Sequence, residues 1–238
     1  MILTNVADAT GARLVEHLGG KAVATSSAAV AWAHGYPDGN ALPLERLVST
    51  VESIARVISV PLTVDVEAGY SDDLGRVAEV LDAVIAAGAV GINIEDGSAD
   101  PELLARKIEV ARQVANKREV QLFINARTDV YLRGLAEGDE ALGMSIDRLQ
   151  AYARAGADGG FVPGLRALDE AAAVASAVSL PLNLMWLPGM ASFAALSQAG
   201  ELEGWQRWRA DQIREELVAK AEALMQAPEG QRPGGRKM

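Results

Sequence analysis

The chain has 238 residues, half of them hydrophobic, which suffices for one α/β barrel or two small domains. It contains no cysteine, which excludes disulfide bonds, thiolate metal ligands and a cysteine nucleophile. The net charge is −10 without a basic stripe, so we expect no nucleic-acid partner. No apolar run approaches the ~20 residues of a membrane span, and no basic flank marks a signal peptide, so we expect no membrane partner and a cytoplasmic location.

Short apolar runs alternate with amphipathic segments from the N-terminus to about residue 185. The runs predict strands at 2–6, 22–25, 61–67, 90–94, 120–126, 160–162 and 181–185. The segments between them predict helices at 8–18, 28–34, 43–58, 72–87, 101–116, 145–155 and 168–178. Strands that alternate with helices, without an antiparallel hairpin signal, are typical of a parallel sheet.

The pattern changes after Met185. Residues 192–199 predict a helix, and residues 203–226 predict a long amphipathic helix that carries Trp205 and Trp208. We find seven strand signals, and no β-branched run stands where an eighth strand would follow. The segment 228–238 is rich in Pro, Gly and basic residues and is predicted to be disordered, which leaves one domain over 1–227.

Polar residues collect where the predicted strands end. They are Ser26, Asp65, Glu67, Glu95, Asp96, Arg127 and Asp129. In a β/α barrel the carboxyl ends of the strands share one face, where the active site is built. An open doubly wound sheet is the alternative, but it usually carries a Gly-rich dinucleotide turn, and no such motif or Walker motif follows a strand here. We therefore predict a TIM-type barrel whose eighth strand is degenerate or missing.

Asp65 and Glu67 stand two residues apart at the end of the third predicted strand. Alternate residues of a strand share a face, so both carboxylates are expected to project the same way. Two carboxylates in an apolar place repel each other unless a cation lies between them, and hard oxygen ligands favour Mg²⁺, Mn²⁺ or Ca²⁺. Taken alone, the two residues have a second explanation that fits equally well. In it, both carboxylates point to water or pair with Arg or Lys, and no metal is bound.

Five motifs, in this order, resemble the phosphoenolpyruvate mutase/isocitrate lyase superfamily. They are the segments 25–30 (TSSAAV), 35–40 (GYPDGN), 64–70 (VDVEAGY), 91–96 (GINIED) and 125–129 (NARTD). The resemblance runs from residue 1 to about 190. It implies a (β/α)8 barrel that binds Mg²⁺, or Mn²⁺ in its place, together with a 2-oxo acid or related carboxylate.

The resemblance also implies roles for the site residues. Asp65 matches the direct protein ligand of the metal, while Glu67, Glu95 and Asp38 match positions that act mainly through metal-bound waters. Arg127 matches the residue that binds the substrate carboxylate or the oxygen that becomes negative. The segment from Ser26 through Ser27 to Ala28 matches the backbone that holds the other end of that carboxylate. The shared chemistry is an enolate-like state stabilised by the metal and the arginine.

Local structural roles remain open for several of these residues. Ser26 and Ser27 would also serve as a helix N-cap, and Asp38 stands in a Pro-Asp-Gly turn where aspartate is common. Arg127 would also pair with Asp129 or Glu95. Tyr70 either lines the site or only packs beside it.

The chain departs from the family in its catalytic loops. It lacks the Lys-Lys-Cys-Gly-His loop of isocitrate lyases, and its segment 97–101 is short and carries no lysine where the mutases have a gating loop. We therefore expect a Mg²⁺-dependent lyase of a small 2-oxo or 2-hydroxy carboxylate that cleaves a C–C bond or decarboxylates. The alternatives are a P–C bond enzyme, such as a phosphonopyruvate hydrolase or a phosphoenolpyruvate mutase, and a non-catalytic homologue. Because the family commonly exchanges its C-terminal helix between subunits, a homodimer or homotetramer is expected.

Overall fold

Seven parallel strands form a single sheet in the computed structural model, which describes residues 2–192, 195 and 196. The strands are β1 Thr4–Val6, β2 Val23–Thr25, β3 Leu62–Asp65, β4 Gly91–Glu95, β5 Phe123–Arg127, β6 Gly159–Phe161 and β7 Leu182–Asn183. The helices are α1 Ala9–His17, α2 Ser27–Ala33, α3 Leu44–Ala55, α4 Leu74–Ala86, α5 Pro101–Lys117, α6 Val130–Arg133, α7 Gly138–Ala155 and α8 Leu168–Ala177.

The order of the strands in the sheet distinguishes a barrel from a doubly wound sheet. Each strand pairs with the next one along the chain, from β1 to β7, and every pairing is parallel. In a doubly wound sheet the order of the strands reverses at a switch point, whereas in a barrel each strand lies beside the next one in the sequence. The structure thus confirms a TIM-type architecture that lacks an eighth strand within the described residues. The predicted helix 203–226 with Trp205 and Trp208, the tail 228–238 and the expected place of an eighth strand lie outside them.

Alternation along the central strands separates the core from the site. Val64, Ile92 and Ile124 are fully buried and belong to the hydrophobic core that the helices cover. The intervening residues Asp65 and Asn93 occupy paired positions on the other face of the sheet. The core therefore fixes which side chains point into the barrel, and these are predominantly polar near the carboxyl ends of β3, β4 and β5.

Three differences from the predicted elements are informative. Helix α6 was not predicted, and α7 begins at Gly138 rather than at 145, because glycines at 138 and 143 weaken the helical pattern in the sequence. Strand β3 ends at Asp65, so Glu67 lies beyond it in a turn with φ of +51°. The predicted strand 61–67 is therefore too long, and strand alternation does not account for the position of the Glu67 side chain, because a left-handed residue breaks the period of two.

None of the described helices is both long enough and apolar enough to cross a membrane.

Candidate active site

Glu95 and Arg127 meet at the carboxyl ends of β4 and β5. The two residues are paired in the sheet register, and Nη1 of Arg127 lies 2.8 Å from Oε2 of Glu95. Asp65 ends the neighbouring strand β3, and its negative charge contributes to the raised pKa of Glu95. The structure therefore brings these three predicted site residues together on one face.

The carboxylate of Asp65 is oriented by several donors. Oδ1 accepts hydrogen bonds from the backbone N–H of Glu67 at 3.1 Å and from Nδ2 of Asn93 at 3.3 Å. Among the described residues, Oδ2 accepts only from the backbone N–H of Ser27, at a long 3.4 Å. The N–H of Asp65 itself donates to Oγ1 of Thr25 at 2.8 Å, which ties β3 to β2. Asp65 is thus held with one oxygen satisfied and the other nearly free.

Glu67 is almost fully buried, with 3 % of its surface exposed. Its Oε2 accepts a hydrogen bond from the backbone N–H of Asn40, while Oε1 has no hydrogen-bond partner within the described part of the chain. Burial raises the pKa of Glu67, and the negative charges of Asp38 and Asp65 raise it further. Turn formation after β3 therefore places Glu67 beside Asp65 even though the strand does not.

The turn that contains Asp38 closes over Glu67 from the β2–β3 connection. Oδ1 of Asn40 accepts a hydrogen bond from the backbone N–H of Tyr70 at 3.1 Å. The turn that contains Asp38 and Asn40 is therefore joined to the turn that contains Glu67 and Tyr70. Among the described residues, four that are not glycine have positive φ, and three of them are Asn40, Glu67 and Tyr70. Such strain gathers at sites whose surroundings hold the backbone in place.

Tyr70 combines the two roles that the sequence left open. It packs against the hydrophobic core and is about half-buried. Burial raises its pKa well above the ordinary value, and the adjacent negative charge of Glu67 raises it further. The phenol therefore stays protonated beside Glu67, at the rim of the carboxylate cluster.

Arg127 is clamped by Asp129. Nε and Nη2 of Arg127 donate to the two oxygens of Asp129 at 2.6 and 3.1 Å, and Asp129 also accepts from Nε of Arg133 at 3.0 Å. The structural pairings that the sequence left open for Arg127 are both present, to Asp129 and to Glu95. A guanidinium carries five N–H donors, so these pairings do not exhaust its capacity for a bound carboxylate.

Asp96 holds Asp129, the partner of Arg127, in position. Its Oδ1 accepts the backbone N–H of Asp129 at 2.9 Å, and its Oδ2 accepts from Arg148 and from the Tyr152 hydroxyl at 2.8 and 2.7 Å. Asp96 and Asp129 therefore hold Arg127 in place through hydrogen bonds and ion pairs.

The segment from Ser26 to Ala28 forms the start of α2. Oγ of Ser26 accepts the N–H of Ala29 at 3.3 Å, which is the N-cap that the sequence allowed. The N–H of Ser27 points toward Asp65, and Ala28 follows in the first turn of the helix. The segment thus borders the carboxylate cluster, and its role in binding a substrate carboxylate stays a prediction.

The donor set fits a hard cation bound mainly through water. Within residues 2–192, 195 and 196, no three Asp, Glu or His side chains converge closely enough to hold an ion directly. The site nevertheless offers several carboxylate oxygens, and one of them, Oε1 of Glu67, has no hydrogen-bond partner among the described residues. Mg²⁺ prefers oxygen, takes one or two carboxylates and keeps several waters. Asp65 as single direct ligand, with Glu67, Glu95 and Asp38 around it, is consistent with that preference.

The connection after β4 is a short turn rather than a gating loop. Residues 96–100 turn directly into α5: the N–H of Ala99 donates to the carbonyl of Asp96 at 2.9 Å, and Asp100 caps the helix ahead of Pro101. No residue of this turn is a lysine. The structure therefore agrees with the short loop expected from the sequence.

Sequence reasoning missed three asparagines and a threonine that hold the predicted residues. They are Thr25, Asn40, Asn93 and Asn125, the last of which donates to Oδ1 of Asn93 at 3.1 Å. A signal was present for two of them, because Asn93 and Asn125 stand two residues before Glu95 and Arg127 and hence on the same face of their strands.

Comparison with known proteins identifies the family. The model of the phosphoenolpyruvate phosphomutase family matches residues 1–201. An oxaloacetate decarboxylase of Bradyrhizobium is 32 % identical over 195 residues, which cover 77 % of this chain and 65 % of that protein. A crystal structure from Burkholderia cenocepacia, provisionally assigned as a phosphonomutase, is 37 % identical with a TM-score of 0.81, over 94 % of this chain and 93 % of that one.

A phosphonopyruvate hydrolase structure, solved as a complex with oxalate and Mg²⁺, shares the fold at 23 % identity, with a TM-score of 0.73 over 94 % of this chain and 80 % of that one. The similar proteins with assigned reactions include lyases, which supports an enzyme of the lyase type. From the family match over residues 1–201 and the motifs that line the strand ends, the chain belongs to the phosphoenolpyruvate mutase/isocitrate lyase superfamily.

Proposed function

We propose that this protein is a Mg²⁺-dependent lyase that decarboxylates, or cleaves a C–C bond in, a small 2-oxo carboxylate. The observation that carries the proposal is the convergence of Asp65, Glu67 and Glu95 with the clamped guanidinium of Arg127 at the ends of three adjacent strands. Oxaloacetate is the first substrate to test, because oxaloacetate decarboxylases are among the similar proteins.

One group of residues would bind the cation, and another group would bind the substrate. Asp65 would hold Mg²⁺ directly, and Glu67, Glu95 and Asp38 would accept hydrogen bonds from its waters. The bound ion would supply a Lewis acid that polarises the 2-oxo group. The N–H groups of Ser27 and Ala28 would orient a substrate carboxylate from the start of α2.

Arg127 would stabilise the charge that develops during cleavage. Loss of CO₂ leaves the electron pair of the broken C–C bond on the substrate, and negative charge accumulates on the oxygen of the 2-oxo group. A guanidinium fixed in advance by Asp129 can donate to that oxygen without reorganising, which is the form of stabilisation that accelerates a reaction most. Because the chain has no cysteine and the turn after β4 has no lysine, water would return the proton to the carbanion carbon.

The test is pyruvate formation from oxaloacetate with Mg²⁺, measured against the rate with Mg²⁺ alone. Asp65→Asn should lower kcat/KM by at least ~100-fold, since it weakens the only direct ligand. Asp82→Asn is the matched control, because Asp82 lies on the outer helix α4 and its carboxylate pairs with Arg118 rather than with the strand-end residues. Equal rates for the wild type and Asp65→Asn, or no turnover of oxaloacetate, oxalomalate, methylisocitrate or phosphonopyruvate, would overturn the proposal.

A second candidate is cleavage of a P–C bond in phosphonopyruvate. It is favoured by the 37 % identity to the provisionally assigned phosphonomutase. Phosphorus NMR of a reaction with phosphonopyruvate and Mg²⁺ separates the outcomes: released phosphate indicates a hydrolase, and phosphoenolpyruvate indicates a mutase. Turnover of oxaloacetate without either product would leave the C–C lyase as the function.

A further inference from the structure

A row of three polar side chains runs across the interior face of the sheet beneath the site. Asp65, Asn93 and Asn125 occupy successive paired positions on β3, β4 and β5. Nδ2 of Asn93 donates to Oδ1 of Asp65 at 3.3 Å, and Nδ2 of Asn125 donates to Oδ1 of Asn93 at 3.1 Å. Three strands are thus linked by side chains at the level just below Glu95 and Arg127.

The direction of this row is set by charge. An ionised carboxylate only accepts hydrogen bonds, so Asn93 must turn its NH₂ group toward Asp65. Its carbonyl oxygen then faces Asn125, which must in turn present its own NH₂ group. Each amide therefore has one orientation that satisfies its neighbour, and the row of hydrogen bonds links Asn125 on β5, through Asn93 on β4, to the carboxylate on β3.

The next strand makes room for the row. Gly159 is paired with Asn125 on β6, and a Cβ placed at this glycine would lie 2.9 Å from Oδ1 of Asn125. Asn125 is only 7 % exposed, so it has little space to move aside. A glycine at this position therefore allows Asn125 to lie flat beneath the site and to reach Asn93.

The two oxygens of Asp65 are left in different states. Oδ1 accepts from Asn93 and from the N–H of Glu67, whereas within the part of the chain that the structure describes Oδ2 accepts only from the N–H of Ser27, at 3.4 Å. We propose that Asn93 and Asn125 are positioning residues that fix the Asp65 carboxylate so that Oδ2 is the oxygen presented to the divalent cation. This inference rests on the proposed function, since it assigns the metal to Asp65.

A purely structural row would behave differently. If the asparagines only satisfied each other's polar groups, their removal would change the free energy of unfolding and leave the metal affinity unchanged. If they position Asp65, removal weakens metal binding even in a folded variant. Outer partners of metal ligands typically contribute a factor of about 10 to 100 in affinity.

The experiment measures Mn²⁺ binding to the full chain by electron paramagnetic resonance, so that no substrate is needed. We expect Asn93→Leu to weaken binding by about 10- to 100-fold and Asn125→Leu by about fivefold. The double variant should bind no more weakly than Asn93→Leu alone, because Asn125 acts only through Asn93. Thr63→Val is the matched control, since Thr63 lies on the same face of β3, one step deeper than Asp65, and should retain the wild-type affinity.

The outcomes separate this inference from the proposed function. Wild-type affinity in both asparagine variants, or independent factors that multiply in the double variant, would overturn the positioning role while the metal site stands. Equal Mn²⁺ binding by the wild type and by Asp65→Asn would overturn the metal site and this inference with it. Should Asn93→Leu fail to fold, Asn93→Ser takes its place, because serine is too short to reach Asp65.

Discussion

Glu95 and Arg127 have their charged atoms 2.8 Å apart, yet the pKa of Glu95 is raised to about 7. Burial is the largest cause, and it outweighs the opposing effect of the positive charge of Arg127. The negative charges of Asp65, Asp129 and Glu67 raise the pKa further. This part of the site therefore carries more negative than positive charge, as a cation site would.

The metal-free protein should lose stability as the pH rises toward 7. A carboxyl group whose pKa is higher in the folded state than in the unfolded state stabilises the fold below its ordinary pKa, and this stability is lost as the pH rises through the folded pKa. A rise of the pKa from 4.5 to about 7, at ~1.4 kcal/mol per unit, limits this contribution to the free energy of unfolding to at most about 3.5 kcal/mol. Urea unfolding in EDTA between pH 5 and 8 should show this fall, and Glu95→Gln should reduce it.

The control for that measurement is Glu102→Gln, since Glu102 is exposed on α5. It should keep the pH dependence of the wild type. An identical fall in the wild type and Glu95→Gln would show that another group is responsible.

Asp129→Asn should destabilise the protein by about 3 kcal/mol, because it leaves two arginines without their buried partner. It should also lower kcat/KM, since Arg127 loses the clamp that fixes its orientation. Urea unfolding and the oxaloacetate assay measure the two effects, and Asp139→Asn on the exposed side of α7 is the control. A variant with unchanged stability would refute the structural role that the geometry gives Asp129.

The order and type of the strands were predictable because short β-branched runs alternate with amphipathic segments along most of the chain. The end of β3 was not predictable from that pattern, since Val66 is as apolar as Val64 although the strand stops between them. The positive φ of Glu67 decides where the strand stops, and a glutamate gives no sequence signal for a left-handed backbone. The start of α7 was hidden for a related reason, because Gly138 and Gly143 disfavour a helix when they are read without their tertiary context.

The residues of the site were predictable as a set because they follow the strands that share one end of a barrel. What the sequence did not reveal is which of them support the others. Asn93 and Asn125 interrupt otherwise apolar strands, and a single polar residue in such a strand is easily taken as an irregularity. Only the register of β3, β4 and β5 places these two amides in one row with Asp65.

Tyr152→Phe should cost about 2 kcal/mol of stability, the typical contribution of a hydrogen bond to a charged group. The hydroxyl of the buried Tyr152 donates to Oδ2 of Asp96 at 2.7 Å. Turnover should change little, because the other oxygen of Asp96 still accepts the N–H of Asp129. Asp96→Asn should be more damaging, since it also removes the charge that faces Arg148. Urea unfolding of the two variants checks this order, and the reverse order would contradict the arrangement of the network.

Substitution of alanine for glycine should destabilise the protein at position 159 and stabilise it at position 143. At Gly159 a new Cβ would lie 2.9 Å both from Oδ1 of Asn125 and from Cζ of Phe123, so Gly159→Ala should destabilise the protein by about 1–3 kcal/mol. Gly143 lies within α7 with nothing within 4 Å of the added Cβ, so Gly143→Ala should stabilise it by about 0.5–1 kcal/mol. Thermal unfolding of the two variants is the measurement. Because Phe123 is 46 % exposed and its ring can turn away, a small effect of Gly159→Ala would mean that Asn125 also yields, and the row beneath Asp65 would then be looser than its burial indicates.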